Sequence, residues 1–190
     1  MLKTRIIPCL LLKDRGLVKT TRFKDARYLG DPINIVRIFN DKEADELVFL
    51  DITATAENRR PPIKLLTDIA GECFMPLAYG GGIRSIEDIR EILALGAEKV
   101  VVNSHAVENP SFIRKAVEYF GSQSIVVSMD VKRNFWGKDE IFTCSGRKPA
   151  GIDPVSFASL MEETGAGELL VNSIDRDGTM SGYDIGLVKK

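Results

Sequence analysis

Two alternating hydrophobic periods constrain this chain more than any other feature. Short, near-continuous apolar runs rich in β-branched residues recur at 5–12, 46–51, 75–79, 99–103, 124–130 and 168–172. Between them, apolar residues return at helical spacing, as in Ile86, Ile89, Ile92 and Leu93, or Phe157, Ala158, Leu160 and Met161. A strand that is apolar on both faces has to be covered on both. Strand and helix in alternation therefore require a parallel sheet beneath helices, either an open doubly wound sheet or a closed (β/α)8 TIM-type barrel.

Helix starts are legible. Asp31-Pro32, Asn109-Pro110 and Asp153-Pro154 each set a capping side chain before a proline, whose missing N–H costs nothing at the first helical position. Ser85 with Asp88 resembles a capping box, and Pro61-Pro62 stiffens the entry to the second helix. An internal repeat favours the barrel: 44–52 (ADELVFLDI) resembles 166–174 (AGELLVNSI), and 6–13 (IIPCLLLK) aligns with 125–132 (IVVSMDVK). Strands one and two then recur as strands five and six. The expectation is one incomplete barrel domain over 1–190, truncated after about six strands, because an open six-stranded piece would leave unpaired edges.

Composition narrows the chemistry. With 44% hydrophobic and 28% charged residues and a formal net charge of -1, the chain is expected to form one soluble domain. Nothing in that charge favours nucleic acid or a membrane as partner. Three cysteines without metal-ligand spacing, and no leading apolar run, point to a reducing cytoplasm. His105 is the only histidine, so no His-based metal site or Ser-His-Asp triad is expected, and no metal or cofactor is called for. Carboxylates, lysines and backbone amides must carry the chemistry.

In a barrel the site lies at the C-terminal ends of the strands. Gly80, Gly81 and Gly82 follow a strand and open a helix, which suits a phosphate cradle and also suits a plain tight turn. Asn103 and Ser104 end the next strand, either completing such a cradle or merely terminating the strand. Asp130 ends a buried strand, where burial raises its proton affinity and fits it to acid or base work; a structural carboxylate is the alternative. Asp177, Gly178 and Thr179 follow the sixth strand, as a second acid or base with a second phosphate contact or as a solvated turn. Phe135 and Trp136 are expected to pack on the rim, and His105 to be an ordinary rim residue.

IIPCL, GDP, ADELVFLDI, GGGIRS, EKVVVNS, GSQSIVVSMD and SIDRDGT-x-x-GYD together resemble the cyclase subunit of imidazole glycerol phosphate synthase, over essentially the whole chain. That resemblance implies a heterodimer with a glutaminase subunit that passes ammonia through the barrel to a phosphorylated ribosyl or sugar-related molecule. It implies phosphate contacts at Gly82, Asn103 and Ser104 and again at Asp177, Gly178 and Thr179, with Lys19 in a mobile first loop. It also implies an ammonia gate of Arg5, Glu46, Lys99 and Glu168. All four open strands with inward parity, which equally suits a salt-bridge plug.

One departure matters. The family's first strand ends in a catalytic aspartate; here the run is Cys9-Leu10-Leu11-Leu12-Lys13, and the repeat sets Leu11 against Asp130. A leucine transfers no proton, so ring closure is expected to lose a factor of about 10²–10⁴. The pattern resembles the paralogous branch linked to surface-sugar and lipopolysaccharide biosynthesis, whose members are thought to supply ammonia for amidation of an N-acetyl sugar. The rivals are an active histidine-pathway cyclase tolerating Leu11, with Asp177 substituting, and a noncatalytic scaffold that only docks glutaminase.

Overall fold

The computed structural model describes residues 4–190, which divide into two compact units. The first comprises the chain up to Lys19 with Tyr28–Val101; the second comprises Thr20–Arg27 with Val102–Lys190.

In chain order the elements begin with strands β1 (Cys9–Lys13), β2 (Gly16–Thr21) and β3 (Lys24–Gly30), then helix α1 (Pro32–Asp41). β4 (Leu47–Asp51), α2 (Ile63–Glu72), β5 (Leu77–Gly80), α3 (Ile86–Ala94) and β6 (Lys99–Val102) follow. Within the first unit β1, β4, β5 and β6 form parallel ladders, with Cys9 opposite Val48, Leu47 opposite Leu77 and Ala78 opposite Lys99. Every residue of β5 and β6 is buried, as strands covered on both faces must be.

The second unit continues with α4 (Ser104–Glu108), α5 (Pro110–Phe120), β7 (Ile125–Arg133), β8 (Asp139–Thr143), β9 (Lys148–Pro149), α6 (Pro154–Glu163), β10 (Glu168–Ser173) and α7 (Ile185–Val188). β10 runs parallel to β7 with Asn172 opposite Asp130, whereas β8 folds back antiparallel with Phe142 opposite Asp130. This is the expected α/β class with parallel-strand ladders, consistent with a (β/α)8 barrel.

All six anticipated strands are present, and four more strands accompany them. β1 starts at Cys9 rather than Arg5, because Pro8 has no N–H for a ladder and contributes only its carbonyl, to the Val48 amide at 3.0 Å. The β2–β3 hairpin escapes a sequence reading because β3 is largely exposed and its turn uses Arg22 and Phe23 at positive φ, without the Asn-Gly or Asp-Gly pair that marks such turns. Asp31 and Asp153 cap their helices, accepting from the Ile33 amide at 2.9 Å and the Ser156 amide at 2.9 Å. Ser85 and Asp88 form the full capping box. Asn109 does not cap α5; its side chain accepts from Ser111 Oγ at 2.7 Å instead. Phe135 and Trp136 do not pack on a rim either, being 95% and 80% exposed in the β7–β8 connection. Asn134 Oδ1 organises that tip, accepting from the amides of Trp136 and Lys138 at 3.0 and 3.1 Å. His105 stacks edge-on against Phe112, with ring centroids 4.6 Å apart.

Tyr79, on β5, is fully buried, and its hydroxyl is the buried side-chain polar atom left without a partner among the described residues. Burial, and then the nearby Asp51 carboxylate, push its ionisation far up. An unpaired buried hydroxyl costs roughly 1–3 kcal/mol. Tyr79→Phe is therefore expected to leave the chain as stable or to stabilise it by about 1 kcal/mol in chemical denaturation; a loss of that size would reveal a hydrogen bond to the hydroxyl.

Candidate functional site

In the second unit, inward alternation along β7 sets Ser128 and Asp130 on one face, and the parallel register brings Asn172 directly opposite Asp130. Asn172 Nδ2 donates to Asp130 Oδ1 at 2.9 Å and to Ser128 Oγ at 3.1 Å, while Ser128 Oγ donates to the same Oδ1 at 3.3 Å. Asp130 is 7% exposed. Burial pushes its proton affinity up to about 6, against the pull of the two donors, and the Asp177 carboxylate adds a smaller push in the same direction. No second carboxylate is hydrogen-bonded to Asp130 among the described residues; both partners are neutral.

Asp177, in the loop after β10, is committed elsewhere. Its Oδ2 accepts from Thr20 Oγ1 at 2.7 Å and from the Phe23 amide at 3.0 Å, and its carbonyl accepts from the Arg22 amide at 2.9 Å. The tip of the β2–β3 hairpin is thus fastened to this loop. Gly178 has φ +64°, and a β-carbon there would overlap the Thr20 carbonyl, so glycine is required by the hairpin's approach whether or not a ligand binds. Thr179 Oγ1 donates to the Arg176 carbonyl at 2.8 Å and lies 2.7 Å from Ser181 Oγ.

Asn103 and Ser104, at the end of β6, also tie loops together. Asn103 Nδ2 donates to the Ser128 carbonyl at 3.0 Å, Ser104 Oγ donates to Asn103 Oδ1 at 3.1 Å, and Ser104 Oγ accepts from the Cys144 amide at 3.0 Å.

In the first unit, Gly81 and Gly82 follow β5. Gly82 has φ +73°, and a β-carbon there would overlap the Arg59 carbonyl, so close backbone approach accounts for this glycine. Arg59 is held by Asp51, with Nη1 to Oδ2 at 3.1 Å, and Asp51 Oδ1 also accepts the Thr53 and Ala54 amides at 3.0 Å each. The amides of Arg84 and Ser85 are already taken by Asp88 Oδ2 at 3.1 and 3.0 Å. An anion at this helix start would draw on the amides of residues 81–83.

At the opposite ends of the strands, Glu46 Oε2 receives both Arg5 Nη1 at 3.0 Å and Lys99 Nζ at 2.9 Å. Glu46 and Lys99 are buried, and Arg5 remains half-exposed. Glu168 opens β10 in the second unit. Lys19 stands exposed on β2, in a hairpin rather than an irregular loop. Leu11 lies on β1 opposite Leu50 of β4 and Val18 of β2. The residues that sequence reasoning missed are Ser128, Asn172 and Thr20. The available signal was Asn172, a polar side chain two residues after Leu170 on the same face of an apolar strand.

No helix among the described residues is long and apolar enough to cross a membrane. A family model described as "Histidine biosynthesis protein" matches residues 5–190. A Pseudomonas aeruginosa protein named "Putative imidazole glycerol phosphate synthase subunit hisF2" is 50% identical over 189 residues, covering 100% of this chain and 75% of that protein. A Leptospira interrogans protein named "Putative imidazole glycerol phosphate synthase subunit HisF" is 51% identical over 191 residues, with the same two coverages. Imidazole glycerol phosphate synthase subunit HisF of Methanocaldococcus jannaschii is 47% identical over 209 residues, covering 100% of this chain and 77% of its own.

The environment of Asp130 sets a pH dependence. Its folded proton affinity, about 6, lies above the ordinary 3.8, so the folded state is penalised by the charged form. Below about pH 4 the group is protonated in both folded and unfolded chains and the penalty vanishes; it grows as pH rises towards 6 and is complete above that, at roughly 3 kcal/mol. Asp130→Asn keeps the Oδ1 acceptor and removes the charge. It is expected to stabilise the chain by up to about 3 kcal/mol at pH 8 and by almost nothing at pH 4, measured by denaturant titration at both pH values. An equal effect at the two pH values would contradict the buried-charge account.

Proposed function

The chain belongs to the histidine biosynthesis protein family that includes the cyclase subunits of imidazole glycerol phosphate synthase, and from that premise we propose that it accepts ammonia from a glutaminase subunit and delivers it without closing an imidazole ring itself. The acceptor in this reading is an N-acetyl sugar amidated during lipopolysaccharide or other surface-polysaccharide synthesis. The observation that carries the proposal is the company Asp130 keeps: two neutral donors and, among the described residues, no hydrogen-bonded acid, with Leu11 at the repeat-equivalent position of β1.

Ring closure by general acid–base catalysis needs one group to give a proton and another to take one. Asp130 can do either near neutral pH, since its proton affinity of about 6 lies close to the working range. A leucine can do neither. With ammonia alone as cargo, a single carboxylate suffices: Asp130 accepts a hydrogen bond from an N–H of the incoming molecule and orients the nitrogen lone pair away from itself. Arg5, Glu46 and Lys99 act as gate residues at the strand starts of the first unit, and Glu168 as one at the start of β10 in the second. The reading is supported there by the shared Glu46 Oε2, where opening one of two contacts leaves the other to hold the charge. The amides of Gly81 and Gly82 contribute anion contacts in the first unit, and Asn103, Ser104, Gly178 and Thr179 contribute others in the second. Lys19, exposed on β2, supplies a positive charge.

The second reading, an active cyclase of the histidine pathway, is favoured by one observation: the field of Asp177 reaches Asp130. Asp177 could serve as the missing acid only by leaving Thr20 and Phe23, which already share its Oδ2.

The two readings separate when this chain and its Leu11→Asp variant are each mixed with the glutaminase subunit, glutamine and the ribulosyl-formimino substrate. The chain itself is expected to hydrolyse glutamine in the complex without imidazole product, and the variant to gain turnover by about 10²-fold or more. Brisk product formation by the unaltered chain would overturn the proposal.

A further inference from the structure

A carboxylate that handles protons has two oxygens, and its neighbours decide which one does the work. At Asp130 both donors converge on Oδ1: Asn172 Nδ2 at 2.9 Å and Ser128 Oγ at 3.3 Å. The hydrogen-bond polarity closes in one sense only. Asn172 Nδ2 carries two hydrogens, one for Asp130 Oδ1 and one for Ser128 Oγ, which leaves the Ser128 hydroxyl hydrogen to donate to Oδ1 as well. With two donors already on Oδ1, a proton on this carboxyl is better accommodated on Oδ2. That oxygen accepts no hydrogen bond among the described residues. Asp130 as a whole keeps 7% of its surface exposed.

We infer that Asn172 is a positioning residue: it anchors the Asp130 carboxylate through Oδ1 and leaves Oδ2 as the oxygen that exchanges protons or hydrogen bonds with a ligand beside β7. The inference rests on the reading of Asp130 as the polar group at the delivery end, and it adds the residue that orients it.

Three features separate this from ordinary packing. Asn172 follows the apolar run Leu169-Leu170-Val171 in β10, where a side-chain amide contributes nothing to burial. The ladder register puts it directly across from Asp130, the shortest route between adjacent strands. Its donor nitrogen is spent wholly on the two polar side chains of β7 and none of it on a loop carbonyl. The charged groups on the elements around Asp130 are few. Asp177, in the loop after β10, pushes its proton affinity up, and Lys132, farther along β7, lies over the Phe142 ring of β8 at 5.7 Å from the centroid. Neither donates to Oδ1. Asn172 and Ser128 are the groups that favour the ionised form, against burial.

The test is a direct titration of Asp130, followed by carbon-13 NMR of the side-chain carboxyl and assigned by its loss in Asp130→Asn. Removing one charge-assisted donor should tighten proton binding by roughly tenfold, so Asn172→Ala should move the midpoint upward by about that factor. Ser128→Ala, which removes the longer contact, should move it less. Asn172→Asp keeps the size and sets a second carboxyl against Oδ1; it should raise the midpoint beyond the alanine variant, and it guards against a misfolded Asn172→Ala. A midpoint that moves less than threefold in both Asn172 variants overturns the assignment, whatever their stability. The functional reading fails separately. If Asp130→Asn leaves glutaminase-derived ammonia delivery unchanged while Asn172→Ala still shifts the titration, Asn172 positions a carboxylate that delivery does not use.

Discussion

A carboxylate in a sheet interior is the constraint around which the second unit is organised. Asp130 sits in a run of seven fully buried residues on β7, where an unpaired negative charge would be prohibitive. The fold answers with neutral donors rather than a cation. Ser128 comes from the same face of the same strand, and Asn172 comes from the neighbouring strand in exact register. A cation would have fixed the group as permanently ionised, whereas neutral donors offset only part of the burial cost and leave it able to exchange protons near neutral pH. The cost persists as a stability penalty at high pH, as is usual where function demands an ill-placed charge.

The opposite solution appears in the first unit. Asp51 is as buried as Asp130, but it is saturated by Arg59 and by the amides of Thr53 and Ala54. Asp51 ends β4 whereas Asp130, expected to end its strand, lies within β7, which runs on to Arg133; the two aspartates have divergent fates, one a structural anchor for a loop and one a group held by neutral donors. Glu46 follows the structural pattern at the far strand ends, with two cations on a single oxygen. Charge paired with charge holds shape, and charge paired with neutral donors keeps chemistry available.

The α/β class and all six parallel strands were legible in the sequence because covered strands must be continuously apolar, and all four helix starts because proline and capping chemistry are local, although Asn109 does not cap α5 with its side chain. The hairpins were not legible. Phe23 at positive φ and an exposed β3 carry no periodic signal, and the hairpin is held by Asp177, more than 150 residues away in the chain. Asp130 could be picked out as an ionisable residue ending an apolar run. Asn172 could not be paired with it, because strand register between β7 and β10 is a tertiary property. Gly82 and Gly178 were legible as positions with a special role, and each admits the backbone of a neighbouring loop that a β-carbon would exclude.

The central claim is that one carboxylate without an acid partner can hand on ammonia but cannot complete a ring. Its most direct test bypasses the glutaminase altogether. The chain is given ammonium chloride at saturating concentration and pH 8.5, together with the ribulosyl-formimino substrate, and formation of the imidazole product is followed in single turnover. The account predicts product at no more than the uncatalysed background at every ammonium concentration. A rate that rises with ammonium and saturates would show that proton transfer proceeds without a carboxylate at position 11, and would contradict it.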